Sequence, residues 1–127
     1  MSNPNIKTVI FNGETVRAVS MPGYKRYLIL ENGIILYSET EKICPDYGNG
    51  RAARNSGYRK IKIFNDDKER KCFYVHRLIW LAYYGKIPRG YEVDHINFIR
   101  NDNRLVNLRI IPVLHNRTRH KVLENGI

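Results

Sequence analysis

The chain has 127 residues, 43% of them hydrophobic, and its 22 basic and 12 acidic side chains give a net charge of +10. Such a length predicts one small domain, or one domain with a short appendage. No apolar run approaches the ~20 residues that a membrane-spanning helix needs, and the first residues lack the apolar core of a signal peptide, so we expect a cytoplasmic protein with no membrane partner.

The positive charge is concentrated in one part of the chain. Residues 1–50 hold five basic and five acidic side chains, whereas residues 51–121 hold seventeen basic and six acidic ones. A basic excess confined to one half of a small chain favours a polyanionic partner, and nucleic acid is our first expectation. The alternative is a surface that only keeps the protein in solution. Membrane binding is disfavoured because no segment combines a basic face with a continuous apolar one.

Two β-hairpins are predicted in the first forty residues. In the second of them, Asn32-Gly33 is a preferred turn between apolar strands. Residues 44–57 then have the composition of a loop, and their arginines and glycines fit either a connector or an arm that contacts phosphates. The predicted strand pairs are residues 8–11 with 15–19, and residues 27–30 with 34–37.

A third hairpin and a helix follow. Residues 58–64 alternate polar and apolar side chains, residues 65–67 form the turn, and residues 71–75 form the returning strand. The basic members of this hairpin, Arg59, Lys60 and Lys62, are candidates for DNA contacts. A helix is predicted from about residue 76 to residue 84, because Val75, Ile79 and Ala82 share one helical face and Gly85 ends it.

The last part of the chain is predicted to be a ββα unit. It consists of a strand over residues 91–95, a polar loop over 96–106, a strand over 107–111 and a helix that starts at Pro112 and continues to about residue 123. We therefore predict an α+β fold, with a β-hairpin-rich N-terminal half over residues 1–57 that is a candidate DNA-contacting region. The ββα core and the hairpin and helix before it make up residues 58–127.

Asp94-His95, followed by Asn116 on the predicted helix, is the most informative group of residues. The carboxylate and the carboxamide offer hard oxygen ligands that suit Mg²⁺ or Mn²⁺. A histidine with an ordinary pKa of roughly 6.5 accepts a proton from water near neutral pH. Consecutive residues of a strand point to opposite faces, so Asp94 and His95 converge only if the strand ends there. These groups together suit hydrolysis of a phosphodiester.

The middle of the C-terminal helix is polar throughout, over residues 115–121. Asn116 and His120 are spaced i, i+4 and therefore share one face. Such a helix lines a site or binds a phosphate backbone, and Arg117 and Arg119 are its candidate DNA contacts. Taken singly, each residue also has an ordinary explanation, such as a surface ion pair for Asp94-His95 or a packing role for His76.

The combined motif resembles that of the HNH endonucleases, and more narrowly the phage and intron-encoded homing-type proteins. The resemblance covers about residues 74–120, and residues 27–38 more weakly resemble the DNA-binding hairpin module that often precedes such cores. The motif consists of His76-Arg77-Leu78, Asp94-His95-Ile96-Asn97, the run from Asn101 to Leu108, and Asn116 with His120.

The resemblance implies a role for each matching position. His95 matches the general base that activates water, and Asp94 matches the carboxylate that binds a single divalent metal. Asn116 matches the second metal ligand on the helix, and His120 a position that binds the metal in some relatives. Asn107 matches the asparagine that braces the loop and orients the histidine. The remaining matches, His76 and Arg77, are candidate DNA contacts. For His76 the resemblance leaves two roles open, a structural one and contact with phosphate.

The chain departs from the family pattern in two places. Asn97-Phe98-Ile99 replaces an acidic residue and glycine in the loop, and Ile110, Ile111 and Pro112 replace the usual tryptophan and threonine. We expect a metal-dependent endonuclease that nicks or cuts double-stranded DNA as a monomer or homodimer. The alternatives are a non-catalytic DNA-binding protein with the same fold, and an RNA-binding protein.

Overall fold

The computed structural model describes residues 6–48 and 57–114, and the first of its sheets has four antiparallel strands. The strands β1 and β2 pair from Lys7↔Ala18 to Phe11↔Glu14, and β3 pairs with β4 from Tyr27↔Tyr37 to Ile29↔Ile35. Both N-terminal hairpins predicted from the sequence are confirmed. The sheet consists of β1 (Lys7–Phe11), β2 (Glu14–Val19), β3 (Tyr27–Leu30) and β4 (Ile35–Tyr37), in that order.

The turn between β3 and β4 is one residue longer than the two-residue turn that Asn32-Gly33 suggests. Leu30 N donates to Ile34 O at 2.9 Å, and Gly33 N donates to Leu30 O at 3.0 Å. Three residues therefore connect the strands, and Gly33 closes the turn with φ +91°. This is a turn followed by a left-handed residue, a geometry that favours glycine.

The second sheet has three strands and leads directly into the helix. It contains β5 (Tyr47–Gly48), β6 (Arg59–Phe64) and β7 (Arg70–Tyr74), and the helix α1 (Val75–Tyr84) begins at the residue after β7. The third predicted hairpin and the predicted helix are confirmed. The prediction of a loop over residues 44–57 was wrong at Tyr47 and Gly48, which form β5 and pair with Lys60 and Arg59. Ile61 and Ile63 are fully buried, whereas Lys62 between them is exposed, as the alternating pattern predicts.

A single hydrophobic core joins the two sheets through α1. Leu78, Ile79 and Ala82 of α1 belong to one buried cluster with apolar residues of both sheets, such as Ile29 and Ile61. This cluster crosses the predicted division at residue 57. The opposite face of the first sheet buries a separate apolar cluster, formed by Val9, Val16, Ala18, Leu28, Leu30 and Leu36.

The two remaining strands, β8 (Tyr91–His95) and β9 (Leu108–Pro112), form an antiparallel pair. Both were predicted. Pro112 itself ends β9 opposite Tyr91, and Val113 N donates to Gly90 O at 3.0 Å. Residues 113 and 114 are helical, so the predicted C-terminal helix begins one residue after Pro112. The rest of that predicted helix lies outside the described residues. No helix within residues 6–48 and 57–114 is long and apolar enough to cross a bilayer.

Candidate functional site

The buried polar side chains in the described part of the chain lie in one region of the molecule. These buried polar side chains come from the start of α1, the end of β8, and the loop between β8 and β9. Burying a polar group costs free energy unless it is hydrogen-bonded, so such a cluster marks a candidate site. Its members are His76, Asp94, His95, Asn103 and Asn107, each with at most 8% of its surface exposed.

The backbone turns immediately after His95, the last residue of β8. The register of β8 and β9 ends with His95 opposite Leu108. Phe98 N then donates to His95 O at 3.0 Å, and Phe98 itself has φ +65°. The strand therefore ends at the histidine, and the loop begins with a tight turn.

Asp94 is the predicted metal ligand that lies within the described residues. Its side chain is 4% exposed, and Arg109, opposite it on β9, donates from Nε to Oδ2 at 3.1 Å. A carboxylate supplies the hard oxygen atoms that Mg²⁺ and Mn²⁺ prefer, so the donor chemistry at this position fits such an ion. The other two predicted ligands, Asn116 and His120, lie outside the described residues. Within residues 6–48 and 57–114 there is no cluster of three or more His, Cys, Asp or Glu side chains that could hold a metal.

His95, the predicted general base, is held by a carboxamide that the sequence analysis did not single out. Its Nε2 lies 2.8 Å from Oδ1 of Asn103, and both side chains are buried. Because an amide oxygen only accepts hydrogen bonds, Nε2 carries the ring hydrogen in this arrangement and Nδ1 presents a lone pair. Burial lowers the pKa of His95, while the hydrogen bond with Asn103 and the charge of Asp94 act in the opposite direction. The imidazole is therefore neutral at pH 7 and able to accept a proton.

An aromatic group surrounds the histidine on its other side. The ring of His76 lies 4.8 Å from that of His95, and Tyr58 lies 5.2 Å from His76 and 6.0 Å from His95, measured between ring centroids. The guanidinium of Arg100 sits 4.6 Å from the centroid of Tyr58. Its charge contributes to lowering the pKa of His95. Arg100 thus places a positive charge beside the predicted base, and its position in a loop gave no periodic signal in the sequence.

His76 is buried at the start of α1, with its ring against that of His95. It is 8% exposed, and its Nδ1 has no hydrogen-bond partner among the described residues. Burial lowers the pKa of His76 to about 3, and the charges of His95 and Arg77 add to this effect.

Asn107 braces the loop rather than the histidine. Its Nδ2 donates to Oδ1 of Asn97 and to the carbonyl oxygen of Asp102, both at 2.9 Å, and its Oδ1 accepts from Asn97 N at 3.1 Å. Asn97 also donates to Asp102 Oδ2 at 2.8 Å. These bonds fix the loop that carries Asn103. Asn107 therefore stands one step away from His95, and Asn103 makes the direct contact.

The predicted DNA contacts differ in their surroundings. Arg59 donates to Asp46 Oδ1 from Nε at 3.0 Å and from Nη2 at 2.8 Å, so its charge is already paired. Lys62 and Arg77 are exposed, and Lys60 is half-buried with its Nζ 5.2 Å from the ring centroid of Tyr74. The other two predicted contacts, Arg117 and Arg119, lie outside the described residues.

Comparisons with known proteins point to one family. Residues 73–118, just over a third of the chain, match the family model described as HNH endonuclease. Over 57 residues the chain is 40% identical to the uncharacterized gene 5.3 protein of Enterobacteria phage T3, an alignment that covers 44% of this chain and 56% of the relative. The chain is also similar to a solved structure that describes DNA binding and cleavage by the HNH homing endonuclease I-HmuI. The TM-score is 0.64 and the sequence identity is 21%, and the alignment covers 86% of this chain and 59% of the I-HmuI chain.

The comparisons bear directly on two predictions from the sequence. The match over residues 73–118 confirms the resemblance to HNH endonucleases. The structural likeness confirms the α+β fold with a strand-rich first half. The chain spans less than two thirds of the length of both the phage relative and the solved endonuclease.

Proposed function

With residues 73–118 matching the HNH endonucleases, we propose that this protein is a divalent-metal-dependent endonuclease that hydrolyses phosphodiester bonds in double-stranded DNA. One observation carries the proposal: His95 is buried next to Asp94 in the chain, and its Nε2 lies 2.8 Å from Asn103 Oδ1, so Nδ1 takes no part in that contact. A base and a hard-oxygen ligand in adjacent positions are the groups that metal-assisted phosphodiester hydrolysis requires.

His95 acts as the general base. Its Nδ1 takes a proton from a water molecule, the water oxygen forms a bond to phosphorus, and the bond from phosphorus to the leaving 3′-oxygen breaks. A proton then returns to that oxygen from solvent. Such a positioned base contributes roughly 10²–10⁴-fold to the rate. Asn103 keeps the hydrogen of the ring on Nε2, so that the lone pair is on the other nitrogen.

Asp94 would hold the metal ion, with Asn116 as a second ligand and His120 as a candidate third. A single Mg²⁺ or Mn²⁺ bound there would neutralise charge that develops on the phosphate and on the leaving oxygen. Arg109, whose Nε lies 3.1 Å from Asp94 Oδ2, orients the carboxylate from the neighbouring strand.

Double-stranded DNA is the partner that the charge distribution supports. The excess of basic side chains lies in residues 51–121, in the same half as the site. Lys60, Lys62 and Arg77 in the described part, with Arg117 and Arg119 beyond it, are the proposed phosphate contacts. Each phosphate neutralised lowers the affinity at high salt. A monomer carries one site and therefore nicks one strand, and a homodimer cuts both.

The proposal is tested with supercoiled plasmid, the full chain and Mg²⁺ or Mn²⁺, beside His95→Ala. We expect metal-dependent conversion to nicked circles by the wild type, and a loss of roughly 10²–10⁴-fold in His95→Ala. Chelation of the metal abolishes the wild-type activity. Because His95 is enclosed, added imidazole fills the space left in His95→Ala and restores part of the rate.

DNA binding is measured in parallel by gel shift without metal and at increasing salt. Equal affinity of wild type and His95→Ala shows that the substitution removed chemistry and not binding. If both proteins are inert with either metal but shift DNA, the protein is a DNA-binding protein with an HNH fold and the catalytic proposal fails. If neither binds nor cuts DNA, the partner is wrong as well.

A further inference from the structure

The turn between β3 and β4, in the first sheet, reaches across the molecule to the loop of the site. Leu105 N donates to Glu31 O at 2.7 Å. Gly33, in the same turn, is buried against the backbone of Asn103. Residues seventy or more positions apart in sequence therefore touch, and the loop that carries Asn103 packs on the turn.

The contact exists because residue 33 has no side chain. A Cβ at Gly33 would lie 3.0 Å from both the carbonyl carbon and the carbonyl oxygen of Asn103, and 3.2 Å from its Cβ. These are backbone atoms and a stem atom, so they move aside only if the loop moves. Gly33 also has φ +91°, a conformation that side chains disfavour.

The displaced atoms belong to the residue that holds the proposed base. Oδ1 of Asn103 lies 2.8 Å from Nε2 of His95, and both residues are buried. A shift of the Asn103 backbone by a few tenths of an ångström changes that hydrogen bond directly. Catalytic groups tolerate such shifts poorly, since a misplacement of 1 Å costs about 10²-fold in rate.

We propose that the β3–β4 turn of the first sheet, through Glu31 and Gly33, is a positioning device that sets the orientation of His95 by way of Asn103. This inference rests on the proposed function, because it concerns the base of that reaction. It gives the N-terminal half a part in the chemistry that does not depend on contact with DNA.

The test compares Gly33→Ala with Gly13→Ala. Gly13 lies in the β1–β2 turn of the same sheet with φ +80°, and a Cβ there meets nothing within 4 Å. The two substitutions therefore impose similar backbone strain, but only Gly33→Ala pushes on Asn103. We expect nicking by Gly33→Ala to fall by about 10–10²-fold relative to Gly13→Ala, through kcat with unchanged KM for DNA.

The ¹⁵N resonances of the His95 ring provide a readout that a purely structural role would not move. We expect the hydrogen on Nε2 in the wild type and in Gly13→Ala, and a mixture of the two tautomers in Gly33→Ala. In a double-mutant cycle, Gly33→Ala should cause little further loss once Asn103→Ala is present. Additive losses in the cycle, or rates and ring signals in Gly33→Ala that equal those of Gly13→Ala, would overturn the proposal.

The outcomes also separate this inference from the proposed function. If His95→Ala keeps full activity, the catalytic proposal fails, and the ring signals of Gly33→Ala still decide whether the turn orients His95. If Gly33→Ala does not fold, Gly33→Asn is compared with Gly13→Asn, because asparagine tolerates positive φ better than alanine while it retains the Cβ.

Discussion

Two regions of the molecule bury different kinds of side chain. One is the face of the first sheet lined by Leu28, Leu30 and Leu36, and the other is the end of β8 with the loop that follows it. The sheet face buries apolar side chains only, and its cluster is separate from the core around α1. The β8–β9 region contributes Asp94, His95, Asn103 and Asn107 to the buried interior. The first region shows how the chain is stabilised, and the second shows where burial is used to hold polar groups in fixed positions.

The two regions also differ in how they satisfy the backbone. The sheet does so through regular strand pairing, from Lys7↔Ala18 onward. The loop between β8 and β9 combines backbone bonds, such as that from Phe98 N to His95 O, with bonds to the side chains of Asn97 and Asn107. A loop fixed by side-chain amides is more easily disturbed by single substitutions than a sheet. The following predictions use this difference.

Leu28→Ala should have the largest effect on stability and none on chemistry. Leu28 is 2% exposed, and its removal from the apolar cluster costs about 2–5 kcal/mol of unfolding free energy. Urea denaturation measures this loss. Nicking at a temperature at which the variant stays folded should equal that of the wild type. A loss of activity there would show that the sheet face and the site are not independent.

Asn107→Ala should reduce nicking more than it reduces stability. The substitution removes three hydrogen bonds within the loop and costs about 1–3 kcal/mol of stability, but we expect nicking to fall by about 10²-fold because Asn103 loses its support. The measurements are denaturation and single-turnover nicking.

Asn65→Ala is the matched control for Asn107. Asn65 also makes three side-chain hydrogen bonds, to Asp67 and Glu69 in the β6–β7 turn. A comparable loss of stability with unchanged nicking is expected. Equal losses of activity in the two variants would mean that the β8–β9 loop has no special part in the site.

His76 should give the smallest effect, and it depends on pH. Folding lowers the pKa of His76 from 6.5 to about 3. Between these two pH values His76 is protonated in the unfolded chain and neutral in the folded one. Folded protein is therefore destabilised progressively between pH 6.5 and 3, by about 1 kcal/mol at pH 5.5. His76→Phe should weaken this acid sensitivity.

The measurement for His76 is thermal unfolding of wild type and His76→Phe from pH 8 to 5. The groups that face its ring are His95, Tyr58 and Tyr74, with the charge of Arg77 nearby. Burial also lowers the pKa of His95, so this histidine too makes the folded protein less stable as the pH falls. His76→Phe keeps His95 and therefore keeps that part of the acid sensitivity. Parallel curves for the two proteins would show that His76 is accessible to protons in the folded state.

Most elements of the fold could be predicted because their signals are local. Alternation in residues 58–64 gave β6, and the apolar spacing before Gly85 gave α1. The helix that Pro112 was expected to begin starts one residue later, because pairing with Tyr91 continues through the proline. A difference of one residue at a helix end is within the ordinary uncertainty of such boundaries.

The residue types of the candidate site were also readable from the sequence, but their connections were not. Asp94, His95 and Asn107 could be named because the motif brings them together along the chain. Asn103 lies inside the same motif, yet nothing in its spacing indicates that it holds the ring of His95. Arg100 was one basic residue among many until its contact with Tyr58 placed it beside the base.

The sequence by itself determined the strands other than β5, the helix α1, the position of the charge and the chemical groups at residues 94 and 95. These follow from alternation, spacing and side-chain chemistry, all of which act over a few neighbouring residues. Only the tertiary structure decided that Gly33 supports Asn103, that Asn103 holds His95, and that Arg59 is paired with Asp46. Such contacts join segments that are distant along the chain, and they depend on the way the sheets and the helix pack.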